Sequence, residues 1–297
     1  MTAARPHDAR LSVGVLGAGR VGAVLGAALV RAGHQVVAVS AVSDRSLRRA
    51  AELLPGAPVV AADEVPRDAD LLLLTVPDDA LADLVTGLAS TGAFRAGQLV
   101  VHTSGLHGLS VLEPATRMGA LPMALHPVLP FTGTEVDLAR LNGASFGVTS
   151  PEPLRPIAES LVVEMGGEPV WLDDAMRPLW HAALAHGSNH LVTLVASAAD
   201  LLRQAGVEEP GRVLGPLLGA ALDGSLRAGD AVLTGPVSRG DAGTVRAHLE
   251  VLAVAAPEVL PAYVAMARLT ADRALAAGRL DPHAAGALLE VLGSVPR

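Results

Sequence analysis

Two rhythms of apolar and polar positions run along this chain, and one replaces the other near residue 175. Before that point the apolar residues come in short runs: Leu11 to Leu16, Gln35 to Ser40 and Leu71 to Val76. Further runs lie within "GQLVVHTSG", "LPMALHPVLPF", "ASFGVTS" and "GEPVWLDD". Turn residues bound each run, and helix-patterned segments separate them. Short, fully apolar strands alternating with helices predict a parallel sheet covered on both faces. From Ala175 onward the strand signal disappears. Helical periodicity covers Arg177 to about Gln204 and about Gly211 to Arg227, then "GTVRAHLEVLAVAA", "PAYVAMARLTADRALAAG" and "DPHAAGALLEVLG". The breaks "GVEEPG", "APEVLP" and "RLDPH" are short. The pattern therefore predicts an α/β domain over 1–174, with a doubly wound, mostly parallel sheet, followed by an all-α domain over 175–297.

The first strand runs into Gly17-Ala18-Gly19-Arg20-Val21-Gly22, and a helix of small and apolar residues follows to about Arg31, capped by Gly33. A GxGxxG stretch alone is weak. Between a strand and a helix, inside a βαβ unit of about 30 residues, it is the Rossmann fingerprint of a dinucleotide site. Its glycines allow a tight turn, close approach of backbone to a pyrophosphate, and close packing of helix on strand. The position about 20 residues on, where an acid would bind the ribose of NAD, falls near Ser40. Ser40, Ser43, Arg45 and Ser46 in "SAVSDRS" suit a 2′-phosphate. This favours NADP(H) over NAD(H), although Asp44 could take the ribose role if the strand ends later. In such sheets ligands lie beyond the carboxyl ends of the strands. Thr75, Val76, Pro77, His102, Ser104 and His126 sit at those ends, with Thr75, Val76, Pro77 and Ser104 expected on the cofactor side.

Composition narrows the chemistry. The net charge is −8 and aromatics make up 2%, which argues against nucleic-acid binding. No apolar run approaches the roughly 20 residues of a membrane span, and "MTAARPHDAR" lacks the apolar core of a signal peptide. A cytoplasmic protein with a short disordered tail is expected. There is no cysteine, and all 22 basic residues are arginine. A lysine cannot serve as proton donor, Schiff-base former or phosphate clamp.

The segment "LWHAALAHGSNHLVTL", Leu179 to Leu194, reads as one helix with an unusual polar load. At about 100° per residue, Ser188 falls within roughly 20° of His181 and Asn189 about 80° from it, while His186 and His190 point away. His181, Ser188 and Asn189 form a candidate catalytic set, His181 as proton donor and the other two holding a carbonyl oxygen or neighbouring carboxylate. His186 and His190 have a spacing that could ligate a metal, but no third ligand is evident. An interhelical hydrogen bond or a partly exposed face is the simpler reading, and no metal is expected. The loop "DAVLTGPVSRGDAGTV" offers Thr234 and Arg239 as substrate contacts, with His126 from the first domain. Asp241 also resembles a helix N-cap.

Taken in order, "GVLGAGRVG", "TVPDDAL", "VHTSG", "HPVLPF", "WHAALAHGSNHLVTL" and "LTGPVSRGD" carry a resemblance across nearly the whole chain. The chain resembles bacterial Rossmann-like oxidoreductases with a C-terminal helical domain of unknown function. It is more distantly similar to ketopantoate reductases, pyrroline-5-carboxylate reductases and 6-phosphogluconate-type dehydrogenases. The resemblance implies an NADP-linked reductase with its active site between the domains. Where the ketopantoate and 6-phosphogluconate groups use a helix lysine, His181 stands here, and Asn189 stands about where a helix asparagine would be. "LTGPVSRGD" takes the place of the serine-, glycine- and threonine-rich loop of pyrroline-5-carboxylate reductases, but differs in detail. The expected function is NADPH-dependent reduction of a small carboxylated 2-oxo or imino substrate, with ketopantoate to pantoate the most specific form. The alternatives are an imine or pyrroline-carboxylate reductase, or a non-catalytic NADP-binding sensor. A homodimer through the helical domain is expected.

Overall fold

The computed structural model describes residues 10–294; the expectation of a disordered tail over the first residues lies outside the described residues, except at Arg10. The strands are β1 (Ser12–Leu16), β2 (Gln35–Ser40), β3 (Leu71–Leu74), β4 (Leu99–His102), β5 (Leu121–Pro127), β6 (Ser145–Thr149) and β7 (Glu168–Trp171). They form one seven-stranded sheet in the order β2-β1-β3-β4-β5-β6-β7. All neighbours are parallel except β5 and β6, which run antiparallel with His126 opposite Gly147. The helices between them are α1 (Arg20–Arg31), α2 (Asp44–Leu53), α3 (Asp78–Ser90), α4 (Glu113–Thr116), α5 (Glu135–Arg140) and α6 (Arg155–Glu164).

The all-leucine strand β3 shows why this sequence makes a two-sided sheet. Leu71 and Leu73 join a core containing Leu25 and Leu29 of α1 with Ala158 and Leu161 of α6. Leu72 and Leu74 point the other way, into a core with Leu81, Val85 and Leu88 of α3. A strand alternates its side chains between faces, so both faces can be covered only if every position is apolar. The strand ends at Leu74 rather than Val76, which leaves Thr75, Val76 and Pro77 in the turn before α3.

The chain packs as two compact units, residues up to His186 and residues from Gly187 onward. The first therefore extends past Asp174, the end expected from strand pattern alone. It keeps α7 (Arg177–Leu184), whose first residue is buried. The expected single helix from Arg177 to Gln204 is also interrupted. A π-helical segment, Ala185–Asn189, separates α7 from α8 (His190–Gln204). Hydrogen bonds from i to i+5 there replace the α-helical spacing, so angles counted at 100° per residue do not carry across "AHGSN".

The second unit continues with α9 (Pro210–Ala228), α10 (Pro236–Arg239), α11 (Ala242–Ala255), α12 (Leu260–Ala276) and α13 (Pro282–Gly293). Its core comes mainly from α11, α12 and α13, through Leu249, Val264, Ala267, Ala271, Leu288 and Leu292. The segment expected as a loop before α11 contains the short α10. Asp241 caps α11 by accepting the Thr244 backbone N–H at 3.1 Å. No residue of α8 is buried. Among the described residues no helix is long and apolar enough to cross a membrane.

Candidate active site

In this strand order the chain leaves β1 toward β2 on one side and returns at β3 on the other, so the crevice beyond β1 and β3 is where a ligand is expected. The glycine loop forms one wall. Any Cβ on Gly22 would run into the Gly17 carbonyl oxygen and Thr75 Oγ1, so only glycine lets α1 start this close to the turn. Thr75 fixes that contact by donating its hydroxyl to Gly17 O at 2.6 Å. Ser40 Oγ accepts the Gly17 N–H at 3.1 Å, and Ser40 O accepts the Ala18 N–H at 2.9 Å. No side chain caps the start of α1, its first turn has no acid, and nothing crowds Gly19. Its amide groups form a positive, uncovered end suited to a phosphate oxygen.

At the end of β2 the serines have local work. Ser40 is buried against the glycine loop, while Ser43 caps α2 in a reciprocal pair with Ser46. Arg45 is exposed. Arg49, which the sequence pattern did not single out, lies with Arg20 against Gly133, so two arginine side chains converge beside the glycine loop.

Further along the same edge, beyond β4 and β5, lies a cluster of histidines. His102, fully buried at the end of β4, accepts the Ser104 N–H on Nδ1 at 3.2 Å and pairs through Nε2 with Gly108 O at 3.1 Å. Burial and the Arg177 charge push it down to about 3, so it is a neutral brace for the loop that follows. Ser104 Oγ tightens that loop by accepting the N–H groups of Leu106 and His107. Two residues near the start of α7 hold the loop from the far side. Asp174 accepts the Leu109 N–H at 2.7 Å. Arg177, fully buried, donates to His107 O, Ser104 O, Thr149 Oγ1 and Gly147 O. Burial lowers its pKa to about 10, opposed by Asp174 and Asp78, so the guanidinium keeps its charge. This clamp is why α7 packs with the sheet.

The braced loop presents Gly105 to His126 and His181. A Cβ on Gly105 would lie 2.7 Å from His181 Cδ2 and 2.9 Å from His126 Nε2, so the missing side chain admits both imidazoles. Their ring centroids are 5.8 Å apart and nearly perpendicular. His126, at the end of β5, accepts the indole N–H of Trp180 on Nδ1 at 3.1 Å. Burial, then His181 and Arg177, push His126 down to about 4, against a smaller pull from Asp78.

Of the residues expected at the site, His126 and His181 are brought together, and Gly17, Gly19, Gly22 and Thr75 form the crevice wall. Trp180, Arg177, Asp174, Asp78 and Gly105 were not singled out, although "VHTSG" and "TVPDDAL" contain two of them. The unassigned tryptophan beside His181 was the remaining signal. Ser188 and Asn189 lie in the π-helical segment and are exposed, as are Thr234 and Arg239 in the second unit. Among the described residues no group of three His, Asp or Glu side chains could hold a metal ion.

Residues 2–127 match the model of the Rossmann-like domain, and residues 144–270 match a domain of unknown function, DUF2520. A search of curated proteins finds no match. Among solved structures, the chain is similar to a protein assigned as an NADP oxidoreductase, BF3122, from Bacteroides fragilis. The TM-score is 0.76 at 24% identity, covering 89% of this chain and 98% of that one. It is similar to an imine reductase from a Pseudomonas species, with TM-score 0.65, 22% identity, and coverage of 95% and 99%. It is also similar to a reductive aminase from Aspergillus terreus in complex with NADPH and ethyl levulinate, with TM-score 0.63, 20% identity, and coverage of 95% and 99%. At these identities the likeness establishes the fold. The two model matches follow one another along the chain, the Rossmann-like one over residues 2–127 and the DUF2520 one over residues 144–270.

Proposed function

We propose that this chain is an NADPH-dependent reductase of a carbonyl or imine carbon in a small carboxylated substrate. The observation that carries the reading is one sheet edge holding both a phosphate cradle at Gly17–Gly22 and a paired imidazole site at His126 and His181. The dinucleotide fits the residues present, because Gly22 allows the close turn and the uncapped start of α1 offers amides to a pyrophosphate. Arg45, exposed at the start of α2, and the Arg20 and Arg49 side chains that meet at Gly133 offer guanidinium groups for a 2′-phosphate. That set favours NADP(H) over NAD(H), in line with the NADPH held by the Aspergillus reductive aminase.

NADPH, when bound, supplies the hydride. The chain's own residues supply the proton. A carbonyl oxygen or imine nitrogen brought to the histidine pair gains its proton from an imidazole, the side chain suited to that task near neutral pH. With no lysine in the chain, His181 takes this role. Arg177 and Asp174 keep the Gly105 loop fixed, so the imidazoles need no rearrangement during the reaction. Ketopantoate, reduced to pantoate, is the most specific substrate we propose. A cyclic imine is the second, supported by the similarity to the Pseudomonas imine reductase. Ser188, Asn189, Thr234 and Arg239 stay proposed substrate contacts on the sequence pattern alone.

We also propose a homodimer through the helical unit. Leu191, Val192 and Leu194 of α8 and Val213, Leu217, Leu222 and Leu226 of α9 are all exposed. Apolar surface spread over two neighbouring helices supports that reading.

The deciding experiment is cofactor oxidation, with NADPH and NADH in parallel, against 2-oxo acids and cyclic imines, ketopantoate included. Turnover with NADPH preferred is expected. Tight NADPH binding with no turnover across the panel would favour a non-catalytic NADP-binding sensor instead.

A further inference from the structure

The two imidazoles over Gly105 are not equivalent, and the difference lies in what sits behind His126. An indole N–H can only donate. Trp180 points its N–H at His126 Nδ1, so that nitrogen must be the acceptor and the ring proton of a neutral His126 must sit on Nε2. Nε2 is the atom that faces Gly105. The sheet register builds this contact. Gly147 stands directly opposite His126 across β5 and β6, and a Cβ there would come within 2.9 Å of the Trp180 indole. The indole thus lies on the bare backbone of β6 and reaches the imidazole of β5. Arg177, one turn before Trp180 on α7, bonds to the carbonyl of the same Gly147.

We propose that Trp180 locks His126 as its Nε2–H tautomer, making His126 a fixed hydrogen-bond donor to the substrate heteroatom while His181 alone exchanges the proton. Trp180 is then a positioning residue and His126 a polarising one. The charged and titratable groups facing His126 are His181 and Arg177 on α7, Asp78 at the start of α3, and His102 at the end of β4. Two of the four, His181 when protonated and Arg177, oppose a cation on His126; Asp78 alone favours it, and His102 is neutral. A protonated Nδ1 would also set two donors against each other at the indole. His126 therefore keeps one proton, in one place, across the working pH range. This division of labour rests on the reductase reading, but the tautomer is measured without any substrate.

The test is long-range 1H–15N correlation on the full chain labelled at histidine, with His126 assigned by its loss in His126→Gln. Wild type is expected to show an unprotonated Nδ1 and a protonated Nε2 on His126, unchanged from pH 8 down to pH 5.5. In Trp180→Phe the preference should collapse toward a mixture, with His126 titrating at higher pH than in wild type. If a substrate is turned over, the same variant should lower kcat about tenfold with little change in KM. A protonated Nδ1 in wild type, or a His126 that gains a second proton above pH 5.5, overturns the proposal whether or not the variant folds. A locked tautomer with no turnover of any substrate would leave the lock standing and count against the reductase reading alone.

Discussion

At the scale of single residues, the site depends on how its histidines are held. His102 is the clearest case, being fully buried, bonded on both ring nitrogens and pushed down to about 3. In the unfolded chain it titrates near 6.5, so between those values the unfolded state binds the extra proton and the folded state does not. Its contribution to stability is therefore complete above about pH 6.5 and is lost as pH falls toward 3. The expected slope is about 1.4 kcal/mol per pH unit inside that window, to which His126 adds its share. Denaturant midpoints measured at pH 7.5, 6 and 5 should fall steadily. A His102→Gln variant, weaker at pH 7.5, should show a shallower slope; an equal slope would remove His102 from the explanation. The sequence placed His102 and His126 at strand ends, because a buried apolar strand followed by a polar residue marks the sheet edge. It could not distinguish brace from site residue, since that depends on Gly108 and Trp180 reaching across from elsewhere in the chain.

Among the elements, the β1–α1 turn and α7 show the two ways that sequence pattern and structure relate. The turn was legible because its constraints are local. Gly22 meets Gly17, five residues away, and Thr75 in the turn just after the neighbouring strand. A Gly22→Ala substitution should weaken NADPH binding at least tenfold, measured by cofactor fluorescence, with far-ultraviolet circular dichroism unchanged. Unchanged affinity would mean that this turn does not carry the cofactor. The helix from Arg177 was legible as helical but not in its details. Periodicity cannot reveal that Arg177 is a buried clamp, nor that the polar "AHGSN" stretch winds as a π-segment. Those facts depend on the loop after β4 and on hydrogen bonds that composition does not fix.

For the whole molecule, the boundary at His186 and the bare faces of α8 and α9 follow from the same limit, because a single chain's pattern shows which residues are apolar but not what covers them. If a second copy covers those faces, sedimentation should give twice the chain mass of 30.1 kDa. Leu217→Arg combined with Leu226→Arg should then shift the protein to monomer; a wild-type monomer at micromolar concentration would reject the dimer. The central claim is chemical, namely that His181 protonates what a bound NADPH reduces. The most direct measurement compares wild type with His181→Ala for turnover of the best substrate at saturating NADPH, alongside NADPH affinity. Turnover should fall about 100-fold or more while NADPH affinity stays the same. Equal turnover in the two proteins would contradict the assignment.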